Sequence, residues 1–195
     1  MKLFFHFAVV GFANTYLLGP EEGGEALLID PGTMDAGLLN LIEGNGYYVR
    51  AILLTHNHAS HIQGIKTLMK IYDAEIYSHA SSVYNHPSNA LKDGDTFKAC
   101  GIDVEAISIP GHSADSLVYH IGGMIFTGDV LAAGVVDVPV ARLPGLGPGL
   151  GEPLDAAAVE RQDVVLPGLG PPQLGEFQHL LGVLARHVVC LREIL

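Results

Sequence analysis

The segment Thr55, His56, Asn57, His58, Ala59, Ser60, His61 sets three histidines at i, i+2 and i+5, directly behind the apolar run Ala51, Ile52, Leu53, Leu54. Imidazole is the commonest neutral side-chain ligand for zinc or iron, and a tight cluster at a strand end can aim several ring nitrogens at one point. Three histidines within six residues depart from ordinary loop composition, so the segment reads as a metal site.

The elements that must position these residues follow from hydrophobic spacing. Short runs rich in Val, Ile, Leu and Phe, bounded by Gly, Pro, Asn or Asp, recur at residues 3–10, 14–19, 26–30, 51–55, 75–78, 103–109, 117–121 and 124–127, and these predict strands. Thr33 to Gly46 and Ser60 to Tyr72 show helical spacing, the second with Ile62, Ile65, Leu68, Met69 and Tyr72 along one face and Ser60 as its N-cap. Leu143 to Pro153 is rich in Gly and Pro, and its phrase Leu143 to Pro148 returns nearly unchanged as Leu166 to Pro171. Both copies read as loops, because two copies are too few for a repeat architecture. From Leu174 to Leu195 the apolar residues Phe177, Leu180, Leu181, Leu184, Val188, Leu191 and Leu195 fall at helical intervals and predict a closing helix packed on the core. The class expected is α/β or α+β, a sheet system covered by helices in one domain over residues 1–195.

The balance of 10 basic against 21 acidic residues argues against a nucleic-acid surface, which needs clustered Lys and Arg. Cys100 and Cys190 are too few for a disulfide framework, so a reducing cytoplasm is the expected compartment. Lys2 followed by Leu3 to Val10 has the look of a short signal, but a strand-like run resumes at Asn14 without a small-residue cleavage pattern. No stretch reaches the roughly 18 apolar residues of a membrane span. The expected partner is a small-molecule substrate, with neither nucleic acid nor membrane.

Three further segments complete a pattern: Leu28, Ile29, Asp30, Pro31, Gly32; Pro110, Gly111, His112, Ser113; and Phe126, Thr127, Gly128, Asp129. Each is weak alone, but four motifs in this order are specific. Together they resemble the metallo-β-lactamase-fold hydrolases, nearest to the small glyoxalase II-like members, over about Asn14 to Glu176. The resemblance implies an αββα four-layer sandwich of two mixed β-sheets flanked by helices, with the metal site at strand ends. By that likeness His56, His58 and His112 would hold the first metal, zinc before iron. Asp129 would reach toward both metal positions and handle the proton, and Asp30 would orient a ligand histidine through its ring N–H.

Two departures from the family pattern change the chemistry. The family usually carries an aspartate where Ser60 stands and a histidine where Leu169 stands, both for the second metal. His61 and Asp129 alone remain there, fewer than the three protein ligands of an ordinary catalytic zinc, so one divalent metal is expected. Ser60 would still cap the helix, and no compensation from His179 is expected. A mononuclear hydrolase follows, with a metal-bound hydroxide attacking an ester, thioester or lactone-like substrate, slow or specialised for want of the second site. Glutathione thioesters are less expected, since the chain ends at Leu195 without the helical domain that binds glutathione in full-length glyoxalase II. Two alternatives carry over. His56, His112 and Asp129 form a two-histidine, one-carboxylate set suited to mononuclear iron, as in persulfide dioxygenases of the same superfamily. The third reading is a non-catalytic relative with a binding or scaffold role. His6, His79, His86, His120, His179 and His187 read as structural or loop histidines.

Overall fold

The computed structural model describes residues 1–8 and 12–130, together with the backbone of three short strands at 131–132, 135–136 and 188–190. The chain opens as a hairpin of β1 (Lys2–Ala8) and β2 (Ala13–Gly19), then forms β3 (Gly24–Ile29), α1 (Ala36–Gly44) and β4 (Tyr47–Leu53). Two short helices, α2 (Ala59–Ile62) and α3 (Ile65–Ile71), lead to β5 (Glu75–Ser78). A small hairpin of β6 (Ser82–Val83) and β7 (His86–Pro87) precedes β8 (Asn89–Ala90). The second half holds β9 (Thr96–Ala99), β10 (Ile102–Ser108), β11 (Leu117–Ile121) and β12 (Met124–Phe126), then β13 (Leu131–Ala132), β14 (Val135–Val136) and β15 (Val188–Cys190).

These strands make two principal sheets, a six-stranded one in the order β1-β2-β3-β4-β5-β8 and a five-stranded one in the order β15-β12-β11-β10-β9. The first is mixed: β1–β2 and β2–β3 pair antiparallel, whereas β3–β4, β4–β5 and β5–β8 pair parallel. A helix returns the chain between each of the first parallel pairs, as a parallel crossover requires. The second sheet was expected to be mixed and is instead antiparallel at every described pairing. Its strands β9 to β12 succeed one another through turns too short for a crossover.

Both faces of the first sheet are covered, so its central strands are almost wholly apolar. On one face Leu17, Leu28, Val49, Ile52 and Ile76 pack against Leu38 and Ile42 of α1 and Ile65 and Leu68 of α3. On the other, Tyr16, Leu18, Leu27, Ile29 and Leu53 meet Val104, Ala106, Leu117, Tyr119 and Phe126 of the second sheet. Alternate residues along each strand thus belong to different cores, and slipping the register by one residue would exchange them. Among the described residues no helix is long and apolar enough to cross a membrane.

Three expectations are corrected. The helix expected over Ser60 to Tyr72 is two helices, and Ser60 is not its N-cap. His61 N–H donates to His58 O at 2.9 Å, so His58, in extended conformation, takes the N-cap position without a side-chain bond and Ser60 lies inside α2. The break comes at Gly64, whose N–H leaves the helical path to reach Pro31 O at 2.9 Å. The closing helix expected over Leu174 to Leu195 is overturned at Val188–Cys190, which pair with β12 as β15. Those residues complete a sheet, and tertiary pairing overrides a helical apolar stripe. The rest of that segment, both Gly-Pro loops, Leu169, His179 and His187 lie outside the described residues.

Gly64 is tightly enclosed, since a Cβ there would stand 2.5 Å from Pro31 O and 2.9 Å from Thr33 O, both backbone atoms. Gly64→Ala is predicted to destabilise by about 1–3 kcal/mol, the usual range for overpacking. Thermal denaturation checks this, and an unchanged melting temperature would contradict the packing at the α2–α3 junction.

Candidate metal centre

The C-terminal ends of the parallel strands gather the chemistry, as open α/β sheets commonly do. Asp30 follows β3 with φ +50, a left-handed conformation that Asp tolerates better than most residues. The peptide is fixed on both sides: Asp30 N–H donates to Leu53 O at 3.0 Å, and Asp30 O accepts from Thr15 Oγ1 at 2.7 Å. Its buried carboxylate then accepts from Thr55 N–H at 2.8 Å, from the Thr55 hydroxyl at 2.6 Å and from His61 Nδ1 at 3.0 Å.

This network settles the tautomer of His56 and the placement of His61. Thr55 has one hydroxyl proton and gives it to Asp30, so Thr55 Oγ1 accepts from His56 Nδ1–H at 3.1 Å and His56 Nε2 is left with its lone pair facing forward. His61 likewise donates through Nδ1 and turns Nε2 toward Asp129 Oδ1 at 3.3 Å.

In front of this buried floor four atoms converge. His58 Nδ1 stands 3.0 Å from His56 Nε2 and 3.1 Å from His112 Nε2. Asp129 Oδ2 is 3.7 Å from His56 Nε2 and 3.5 Å from His112 Nε2. All four lie within 4.8 Å of one another. Ligands at about 2.0–2.1 Å from a tetrahedral zinc are separated by roughly 3.3–3.4 Å, so these spacings suit one central cation. The donor set fits too, since imidazole and carboxylate together accept zinc or iron. His56 is buried, whereas His58 is exposed and His112 and Asp129 are partly open, so the centre has a closed back and an accessible front.

Burial pulls His56 down to about 4, with the neighbouring His61 charge adding to it, which keeps the ring neutral as a ligand must be. Burial also opposes charge on His61, but Asp30 and then Asp129 outweigh it and push His61 up to about 10. Burial would raise Asp115, yet the Ser113 hydroxyl and backbone N–H groups hold it below the usual carboxylate range.

Local sequence explains how each group is held. Gly128, at φ +51, lies against Thr55 so closely that any Cβ would overlap the Thr55 side chain, and its conformation starts the 3-10 turn Gly128–Val130 that presents Asp129. Gly32 similarly abuts the carbonyl of Ser60, where a Cβ would collide. His112 sits in the turn between β10 and β11, which is tied internally by the Ser113 and Ser116 hydroxyls at 2.8 Å.

The structure thus brings together His56, His58, His112 and Asp129, sets His61 beside them, and places Asp30 behind His61 and Thr55. Ser60 contributes its backbone to the contact with Gly32. Two participants escaped the sequence reading: Thr55, which relays Asp30 to His56, and Asp115, whose Oδ2 accepts from Asn57 N–H at 3.0 Å. Thr55 was visible as a hydroxyl residue directly before the first histidine; nothing in the sequence marked Asp115 beyond its place three residues after His112. Among the described residues, His6 bonds to Asp35 at 3.1 Å and His120 to Glu105 at 3.2 Å, away from the centre.

The cluster of four potential ligands lies at the strand ends of two facing sheets, an arrangement that could hold a metal ion. The family model described as the metallo-β-lactamase superfamily matches residues 8–168, and the chain belongs to that superfamily, with its αββα fold. Hydroxyacylglutathione hydrolase of Methylobacillus flagellatus is 30% identical over 125 residues, 63% of this chain and 50% of that protein. The enzyme of the same name from Aeromonas salmonicida is 33% identical over 129 residues, 65% of this chain and 50% of its own. The chain therefore spans about half the length of the curated relatives it matches. Among solved structures, ETHE1 from Myxococcus xanthus shares the fold with a TM-score of 0.60 at 24% identity, covering 70% of this chain and 64% of that one. TTHA1623, solved in a di-iron-bound form, gives a TM-score of 0.57 at 27% identity over 68% of this chain and 75% of that one.

Thr55→Val keeps the shape and removes the relay, so zinc affinity is predicted to fall about 10–100-fold, the range for partners that orient ligand histidines. A chelator-competition titration measures it, and an unchanged affinity would contradict the relay. In chelated protein the His61 pKa stands above its unfolded value of 6.5, at about 10. Its stabilising contribution is therefore full below pH 6.5 and is lost as pH rises through about 10. Denaturant curves of chelated parent and His61→Gln protein should converge across that window; a constant gap would contradict the pairing.

Proposed function

We propose that the protein is a mononuclear metal-dependent hydrolase acting on an ester, thioester or lactone-like small molecule. The observation that carries this reading is the convergence of His56 Nε2, His58 Nδ1, His112 Nε2 and Asp129 Oδ2 within 4.8 Å. A divalent metal held there, zinc in the first instance, supplies Lewis-acid polarisation and lowers the pKa of a coordinated water toward 7.

The chain's own residues do the remaining work. Asp30 and Thr55 fix the His56 ring with Nε2 aimed forward, and burial keeps that ring neutral, so that the centre is built before substrate arrives. Asp129 presents one carboxylate oxygen to the histidine cluster and the other to His61, and its open side lets it accept a proton from the attacking water. Substrate enters over His58, His112 and Asp129, the accessible side of the centre.

One metal rather than two follows from the donors. His61 Nε2 and Asp129 Oδ1, 3.3 Å apart, are spaced to share a cation, but Ser60 offers a hydroxyl where a carboxylate would complete the set. Two protein ligands fall short of a catalytic zinc site. The formal charge of −11 disfavours nucleic acid as substrate, and the free thiol of Cys100, pushed up to about 11 by burial, suits a reducing cytoplasm.

Elemental analysis of untagged protein is expected to give about one zinc per chain, absent from His112→Ala. Hydrolysis of an activated aryl ester or acyl thioester should stop on chelation and return with zinc. One iron per chain with oxygen uptake would replace the hydrolase with a mononuclear iron dioxygenase using His56, His112 and Asp129. No metal after reconstitution would leave a non-catalytic binding protein.

A further inference from the structure

The candidate metal centre draws its residues from the ends of both sheets, and among the described residues three of the hydrogen bonds between those sheets lie near it. Tyr119 Oη donates to Leu54 O at 2.7 Å, and Leu117 N–H donates to Thr55 O at 2.7 Å. Both anchor the end of β4. The third, from Asn57 N–H to Asp115 Oδ2, falls on the residue between the ligands His56 and His58.

That third bond has little support around it. Asn57, His58 and Ala59 are all exposed, so packing does not hold the stretch that leads from the buried His56 to α2. Among the described residues Asp115 is the acceptor that restrains it. The turn that carries Asp115 is tied internally: Ser113 N–H donates to Ser116 Oγ at 3.2 Å, the two hydroxyls share a 2.8 Å bond, and Ser116 is buried. The same turn carries His112, so a single rigid loop supplies one ligand and grips the peptide between two others.

We propose that Asp115 is a positioning residue for the metal centre, holding Asn57 N–H so that His58 Nδ1 stays within reach of His56 Nε2 and His112 Nε2. The inference rests on the metal-centre reading above. Ligand distances in a metal site are checked to within about 0.2 Å, so a bond that fixes the exposed peptide before His58 bears directly on the ligand geometry. The bond acts through the acceptor oxygen, so asparagine, which keeps an oxygen at Oδ1, can replace the carboxylate.

The test compares parent, Asp115→Ala and Asp115→Asn by competition for Zn2+ against a chromophoric chelator, with melting of the chelated proteins in parallel. Asp115→Ala is expected to weaken zinc binding about 10–100-fold, the scale for residues that support metal ligands. Asp115→Asn should recover to within about fivefold of the parent, the remainder reflecting the stronger charged acceptor. Alanine affinity within about twofold of the parent overturns the proposal, even if the chelated protein melts lower, because the role is then only structural. Asparagine as weak as alanine also overturns it, since charge and not position would then be at work. If the parent itself binds no zinc, the metal reading fails and takes this proposal with it, an outcome distinct from a parent that binds and variants that match it.

Discussion

The buried carboxylate of Asp30 is the constraint on which the site depends. It is a charge placed away from water, which is tolerable only when paired and fully bonded. Thr55 N–H, the Thr55 hydroxyl and His61 Nδ1 meet that demand, and in doing so each is itself fixed. The turn after β3, the end of β4 and helix α2 are thereby locked together at one point. Removing the carboxylate would leave three donors seeking partners in the core, and removing a donor would leave a charge short of one.

From that point the order of the site spreads outward. The Thr55 hydroxyl, having given its proton to Asp30, can only accept from His56, so the ring that faces the metal position is presented with a free lone pair. Gly128 leaves room for the Thr55 side chain, and the turn it begins delivers Asp129 opposite His56 and His61. Gly32 makes the same kind of room beside Ser60. These glycines are spatial necessities of the network, each sitting where a methyl group would displace a bonded partner.

Much of this was legible in the sequence because the chemistry is concentrated. Three histidines in six residues mark a candidate metal site, and the motifs around Asp30, His112 and Asp129 are local enough to read one at a time. The strands at the centre of the fold were equally plain, since Ala51 to Leu54 and Ala26 to Ile29 are buried on both sides and carry continuous apolar runs. What escaped was set by distant contacts. The break at Gly64 depends on Pro31 O, more than thirty residues earlier, and Ser60 loses the N-cap role because His58 O captures the first turn. Val188 to Cys190 fit a helical stripe, yet a waiting edge at β12 draws them into a sheet. Asp115 bears no motif, and its partner is a backbone N–H 58 residues away in sequence.

The substitution at Ser60 separates fold from chemistry. The residue keeps its backbone contact with Gly32 and its place in α2, while on the proposed reading its hydroxyl stands in for a carboxylate that would help hold a second cation. On the function proposed above, a centre built from His56, His58, His112 and Asp129 on this scaffold holds one metal. Zinc K-edge X-ray absorption on the loaded protein tests that most directly. The account predicts a first shell of three imidazole nitrogens with oxygen at about 2.0–2.2 Å and no metal neighbour. Metal–metal scattering at about 3.5–4 Å, or a shell with fewer than two imidazoles, would contradict it.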